Sequence, residues 1–188
     1  MNYKMMGRFI GQILMVEAVF MIPAGIISLC YGEYSAMWSF WATVAITILV
    51  SGILHLICKG APSAFYAKEG LVCVGLSWIV LSIFGCLPFW LSREIPVFID
   101  AFFEIVSGFT TTGSSVVANV EGLSHGIIYW RSFSNWLGGV GVLVFLLAFT
   151  GAKGSGFTMH LLRAESPGPN VGKLVPKMRS TAAILYIL

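Results

Sequence analysis

The chain has 188 residues, of which 57% are hydrophobic and only 10% charged, with a formal net charge of +3. Soluble domains carry about 25% charged residues, so a mean hydropathy of +0.89 marks an integral membrane protein. Nothing in the charge pattern fits nucleic acid, because no Lys/Arg stripe runs beside stacking aromatics on a soluble face.

Residues 9–30 form the first apolar run, about 22 residues, enough to cross a hydrocarbon core of about 30 Å. Lys4 and Arg8 precede it as in a signal peptide, but the run is longer than a signal h-region and is expected to be a retained span. Glu17 and Pro23 lie inside it. A carboxylate near mid-membrane costs about 2.5 kcal/mol or more, so Glu17 should face protein or water, with packing or hydrogen bonding between helices as the simplest role. Pro23 removes a backbone donor and should kink the helix. After a turn at Tyr31, Gly32 and Glu33, a second span covers 36–58, with Trp38 and Trp41 as an interfacial belt at its entrance and His55 near its exit. Gly60 and Pro62 punctuate a loop, and residues 70–91 form the third span.

The next stretch is too short to cross. Residues 97–109 allow about 13 helical residues, near 20 Å, so the helix must stop inside the membrane or turn back. It runs into Thr110, Thr111, Thr112, Gly113, Ser114 and Ser115, a poor helix and a poor lipid-facing strand, but a suitable lining for a watery cavity. This pattern predicts a pore helix followed by an ion filter. Asn119, Glu121, Gly122, Ser124 and His125 return the chain to the surface. A further apolar element, 127–150, carries Gly138, Gly139 and Gly141, which suit either close backbone packing or a hinge. Residues 151–179 are a basic, Gly- and Pro-rich connector. The run 180–188 falls short of the roughly 20 residues a span needs and is expected to be the start of a longer one.

Cys30, Cys58, Cys73 and Cys86 sit in or at the ends of apolar runs, with no CxxC and no Cys/His pair at metal spacing; they read as small buried thiols. No HExxH, no GxSxG and no paired catalytic carboxylates occur, so enzyme activity is not expected, and no cofactor is implied.

The fold class is therefore all-α integral membrane: two leading transmembrane helices (1–69), one helix, pore loop, helix repeat (70–150), a connector (151–179) and the start of a further helix (180–188). The runs Asp100-Ala101-Phe102-Phe103-Glu104 and Ser107-Gly108-Phe109-Thr110-Thr111-Thr112-Gly113-Ser114 resemble the first pore loop of the Trk/Ktr/HKT potassium transporters. Trp130-Arg131-Ser132, Trp136-Leu137-Gly138-Gly139-Val140-Gly141 and Ala164-Glu165-Ser166-Pro167-Gly168-Pro169 follow in the order and spacing of that family. Two helices ahead of the pore unit match its bacterial TrkH type. Four agreeing motifs make the resemblance specific, and it covers nearly the whole chain. It implies four pore units around one central pore, of which this chain holds one. It also implies a cytosolic nucleotide-binding regulatory subunit and a homodimer of the full-length chain.

On this reading Thr110, Thr111, Thr112, Gly113 and Ser114 are the ion-binding filter, and potassium is held by the backbone carbonyls of Thr111, Thr112 and Gly113. Carbonyls replace hydration oxygens without fixed charge, and glycine takes the left-handed backbone such a row requires. Asp100 and Glu104, four apart on one helix face, are expected to brace the filter or enrich cations at its mouth; alternatively Asp100 caps the helix and Glu104 pairs locally. With Lys4 and Arg8 inside, nine of the eleven Lys and Arg residues fall on the cytoplasmic side, which orients the filter outward and places the N-terminus in the cytoplasm of a multi-pass cell-membrane protein. The function expected is potassium uptake; the alternative is a structural or regulatory membrane module that conducts nothing alone. The basic connector is on the side where a cytosolic partner would meet it, although positive-inside topology alone demands basic residues there.

Overall fold

The computed structural model describes residues 3–59 and 67–140. Among these the elements are α1 (Tyr3–Cys30), α2 (Tyr34–Ile57), α3 (Ala67–Gly85), α4 (Leu87–Leu91), α5 (Phe98–Phe109), a 3₁₀ turn (Val120–Gly122) and α6 (His125–Val140), with no strand. Three stretches are long and apolar enough to cross a bilayer: α1, α2, and residues Val72–Leu91 formed by α3 and α4 together. The loop at 60–66, the residues after Val140, the expected connector and the final apolar run lie outside the described residues.

α1 begins six residues earlier than the apolar pattern suggests and continues through Pro23 to Cys30. It forms a hairpin with α2, turning at Gly32, whose φ of +73° is easy only for glycine. The two helices pack through small residues. An added Cβ at Gly11 would lie 3.3 Å from the Ser51 carbonyl, and one at Gly25 would lie 3.4 Å from Phe40 Cβ. With no water to drive apolar groups together inside a bilayer, such close backbone approach supplies the dispersion contacts that hold helices together. Along the buried face of α2, Ser39, Thr43, Thr47 and Ser51 recur every four residues. The Thr43 and Thr47 hydroxyls donate to carbonyls one turn earlier, both at 2.8 Å. Ser51 instead donates across to the Gly11 carbonyl at 2.7 Å, tying α2 to α1.

The third span breaks at Cys86. Pro88 stands at the second position of α4, where its missing N–H belongs to the group of donors a helix start leaves unbonded anyway. The break frees carbonyls at the end of α3, and one of them, on Gly85, accepts the Trp130 indole N–H from α6 at 2.9 Å. Trp130 is fully buried, as are Phe89, Ile105 and Leu137, in the core to which α4, α5 and α6 contribute. α5 has 12 residues, about 18 Å, and does not reach across a bilayer. At the end of the bundle where α1 meets α2, Ser35 donates to the Ser92 carbonyl at 3.2 Å, and the N–H of Ser124 binds Glu94 at 2.8 Å. These bonds join the α1–α2 turn, the α4–α5 link and the approach to α6 into one capped surface.

Candidate ion-filter site

α5 starts within one residue of the predicted boundary and buries Ala101, Glu104, Ile105, Ser107, Gly108 and Phe109. It ends in a double hydrogen bond: Thr111 N–H donates to the Gly108 carbonyl at 2.9 Å and Thr112 N–H to the Ser107 carbonyl at 3.0 Å. This is the 5→2 and 6→1 pattern of a Schellman cap, which needs a left-handed residue just past the helix. Glycine is usual there. Here Thr111 takes it, with φ +55°, a conformation that costs a β-branched residue about 1–2 kcal/mol. Gly113 is left-handed as well, with φ +75°, while Thr112 between them is not.

The alternation has a consequence for the carbonyls. Among the described residues, no hydrogen bond is donated to the carbonyls of Thr110, Thr111, Thr112 or Gly113. The Ser114 carbonyl is different, since it accepts the Ser107 hydroxyl at 2.6 Å. The Thr110 hydroxyl donates to the Val106 carbonyl at 2.8 Å and meets the Thr112 hydroxyl at 2.8 Å. The negative end of the α5 dipole points into this loop. The outcome is a short row of unspent backbone oxygens beside hydroxyls whose own bonds are made locally.

Behind the loop, Glu104 is 1% exposed and gathers three segments. It accepts the Ser115 hydroxyl at 2.9 and 3.0 Å and the Val116 N–H at 3.1 Å, and the Arg131 Nε of α6. A buried carboxylate without such partners would cost several kcal/mol; with them it becomes a rigid anchor. Arg131 was quoted in the sequence only as part of a motif. Its pairing could be anticipated from the need of a positive charge inside an apolar span to find an acid, but not the choice of Glu104. Asp100, in the first turn of α5, makes no capping bond, and the N-cap residue is Val97. Its charge there complements the positive end of the helix dipole.

α6 approaches α5 through glycine. A Cβ on Gly138 would fall 2.1 Å from the Phe109 carbonyl oxygen, and one on Gly108 would fall 2.3 Å from Ser134 Oγ. Close packing therefore accounts for Gly138, which rests on the last helical residue before the loop. Gly139 has more room, its nearest neighbour being Thr111 Cγ2 at 3.7 Å. Gly141 lies outside the described residues. Between α5 and α6 a polar cavity of about 180 Å³ opens, lined by Glu104, Ser107, Gly113, Arg131, Ser132 and Asn135, roomy and polar enough for ordered water.

Glu17 has a different setting. It is 1% exposed, and neither carboxyl oxygen has a hydrogen-bond partner among the described residues, so the expected bonding between helices is not seen there. An ideal Cβ on Gly85 would lie 3.0 Å from Glu17 Oε1, 3.0 Å from Ile105 and 3.3 Å from Phe109. The carboxyl thus sits against the break in the third span and close to the last turn of α5, nearer that helix than its sequence position suggests.

Three membrane-length helices and a half-length helix that ends in an oxygen-rich loop define a multi-pass α-helical membrane protein built like a transporter. The chain belongs to the TrkH family of cation transport proteins, matched over residues 37–188. It is 34% identical over 191 residues to the Trk system potassium uptake protein TrkH of Halomonas elongata, covering 100% of this chain and 39% of the relative. It is 32% identical to TrkH of Escherichia coli K12, again over 100% of this chain and 39% of the relative. To TrkG of the same organism it is 31% identical, over 99% of this chain and 38% of the relative. The chain spans about two fifths of the length of these relatives. Its family is one of transport proteins, not of enzymes.

Proposed function

We propose that this chain supplies the first pore unit of a potassium uptake transporter, with the carbonyls of Thr110, Thr111, Thr112 and Gly113 contributing one wall of its filter. One observation carries the reading: a half-membrane helix ends in a loop of alternating backbone hand whose carbonyls accept nothing from the described residues. Such oxygens substitute for the hydration shell of a cation, and the helix dipole favours a cation over an anion. Potassium as the cargo is supported by the names of the Trk relatives. Ser114, its carbonyl held by Ser107, closes the filter from behind, and Glu104 with Arg131 fixes its far end. Asp100 adds negative charge near the start of the same helix.

One unit cannot surround an ion, so the complete pore needs the further units that resemblance to the family implies. The N-terminus is assigned to the cytoplasm: nine of eleven basic residues then lie inside, and Lys4, Arg8 and Lys59 stand at the end opposite the surface formed by Ser35, Ser92 and Ser124. A cytosolic nucleotide-binding subunit and a homodimer of the full-length protein complete the proposal, both resting on that family resemblance.

Gly113→Ser in the full-length transporter tests the filter. Serine is small and polar but penalises the left-handed backbone. Sodium permeation should rise about tenfold relative to potassium if roughly 1.4 kcal/mol of discrimination is lost, read as weaker rescue of a potassium-uptake-deficient host at low external potassium. Unchanged affinity and ion preference at normal expression would remove residues 110–114 from the filter and leave the non-conducting module as the better reading.

A further inference from the structure

α1 lies outside the residues matched by the family, although the α1–α2 hairpin packs against α3, α4 and α6. On its flank a groove of about 460 Å³ runs between the helices, lined by Gln12, Met15, Gly52, His55 and Leu56 beside Gly11 and Ser51. Around it α2 presents Ile53 at 46% and Leu56 at 69% exposure, an apolar surface that suits hydrocarbon. The groove exists because Gly52 has no side chain: nothing lies within 4 Å of where its Cβ would be.

Two cations flank the groove at one end. Arg8 is four residues before Gln12 and seven before Met15, so it continues the groove-facing stripe of α1 by one turn, and Lys59 follows directly on Cys58, the C-cap of α2, just past the groove-lining His55 and Leu56. The contact of Gly7 with Cys58, where an added Cβ would meet the sulfur at 2.7 Å, puts both at the same level of the bundle. Both are exposed, and neither forms a salt bridge among the described residues. We propose that this groove is a binding site for an anionic phospholipid, with an acyl chain along Met15, Gly52 and Leu56 and the phosphate held by Arg8 and Lys59. Apolar walls inside the bilayer, with two positive charges nearer its surface that no acid among the described residues neutralises, match the two halves of such a lipid and favour a net negative headgroup over a zwitterionic one.

The test uses the full-length transporter in native mass spectrometry, titrated with phosphatidylglycerol and, separately, phosphatidylcholine. Wild type should retain phosphatidylglycerol preferentially. With each basic residue near the surface contributing about fivefold, Arg8→Gln with Lys59→Gln should reduce that preference by about thirtyfold. Arg93→Gln, at the opposite end, should leave it intact. Gly52→Leu fills the groove without a clash at its first atom and should abolish retention of both lipids while thermal unfolding stays unchanged. Equal retention of the two lipids by wild type, or an unaltered preference in the double variant, overturns the proposal. So does a Gly52→Leu protein that loses subunit assembly instead of lipid, because the groove would then be a protein interface.

Discussion

Glu104 in α5 and Glu17 in α1 are each 1% exposed, yet Glu104 takes hydrogen bonds from Ser115, Val116 and Arg131, while both oxygens of Glu17 have none among the described residues. Glu104 belongs to α5, and Glu17 lies near the last turn of the same helix. One is held by directed bonds, so its position transmits to the loop it binds; the other is enclosed beside Gly85 with no such bond among the described residues. Depth in the membrane therefore does not tell what a carboxylate does. Its partners do, and they separate an anchor from a group that the fold merely encloses.

Breaking the anchor should give the largest effect. Arg131→Met leaves a buried carboxylate without its counter-charge, and removal of one partner of a buried pair costs about 3–5 kcal/mol. Thermal unfolding of the full-length transporter should show that loss, together with reduced potassium uptake. Adding Glu104→Met to it should recover much of the stability but not the uptake, since the Ser115 and Val116 bonds would still be missing. Recovery of both would reduce the pair to a structural element with no bearing on the filter.

Gly138→Ala sharpens the comparison on the other face of the anchor. The new methyl would stand 2.1 Å from the Phe109 carbonyl oxygen, which is backbone and cannot swing aside, so α6 must back away from α5. Overpacking of this kind costs about 1–3 kcal/mol. Selectivity should suffer too, because Phe109 precedes Thr110 directly. Gly139→Ala, with its nearest neighbour at 3.7 Å, is the matched control and should be close to neutral in the same assays.

These elements also show how far the sequence alone reaches. Apolar runs set the spans, and the short run 97–109 set the half-length helix α5 to within one residue, because both depend on length and local pattern. The Glu104–Arg131 pair and the contact of Gly138 with Phe109 depend on how two helices register against each other, across 27 and 29 positions. Spacing within one helix carries no such information. The left-handed backbone of Thr111 was not legible either, since a β-branched residue is the last choice for it. The nearness of Glu17 to α5 was hidden for another reason: Gly85, the residue that lets them approach, is unremarkable in an apolar run.

Glu17→Met tests the enclosed side. Methionine has similar volume and no polar atom to satisfy, and an unsatisfied buried polar group costs about 1–3 kcal/mol. The variant should be more stable than wild type by about that amount, measured by thermal unfolding in one detergent. A loss of stability would reveal a partner for Glu17 beyond the described residues and move it into the same class as Glu104.

The smallest effect is expected where a carboxylate is bonded but near the surface. Glu33, in the α1–α2 turn, accepts the His125 N–H at 2.9 Å and contacts His125 Nδ1 at 2.7 Å, and the ring of His125 stacks on Tyr31 with centroids 3.8 Å apart. Partial burial alone would push the Glu33 carboxyl up, but the hydrogen bonds from the His125 ring and from the His125 and Gly126 N–H groups outweigh it and hold it below its ordinary 4.5. A carboxyl whose folded value is lowered adds stability above its unfolded value, and that stability fades as pH falls through the folded one. Wild type should therefore lose a small increment, about 0.2–1 kcal/mol for a partly exposed pair, as the pH drops below about 4.5. Glu33→Gln, with no proton to take up, should lack this increment at neutral pH and show no corresponding fall below 4.5. Identical acid profiles for the two proteins would mean that the turn is held by the Tyr31 stack and the Ser35 bond instead, and that the carboxylate is dispensable there, as at Glu17.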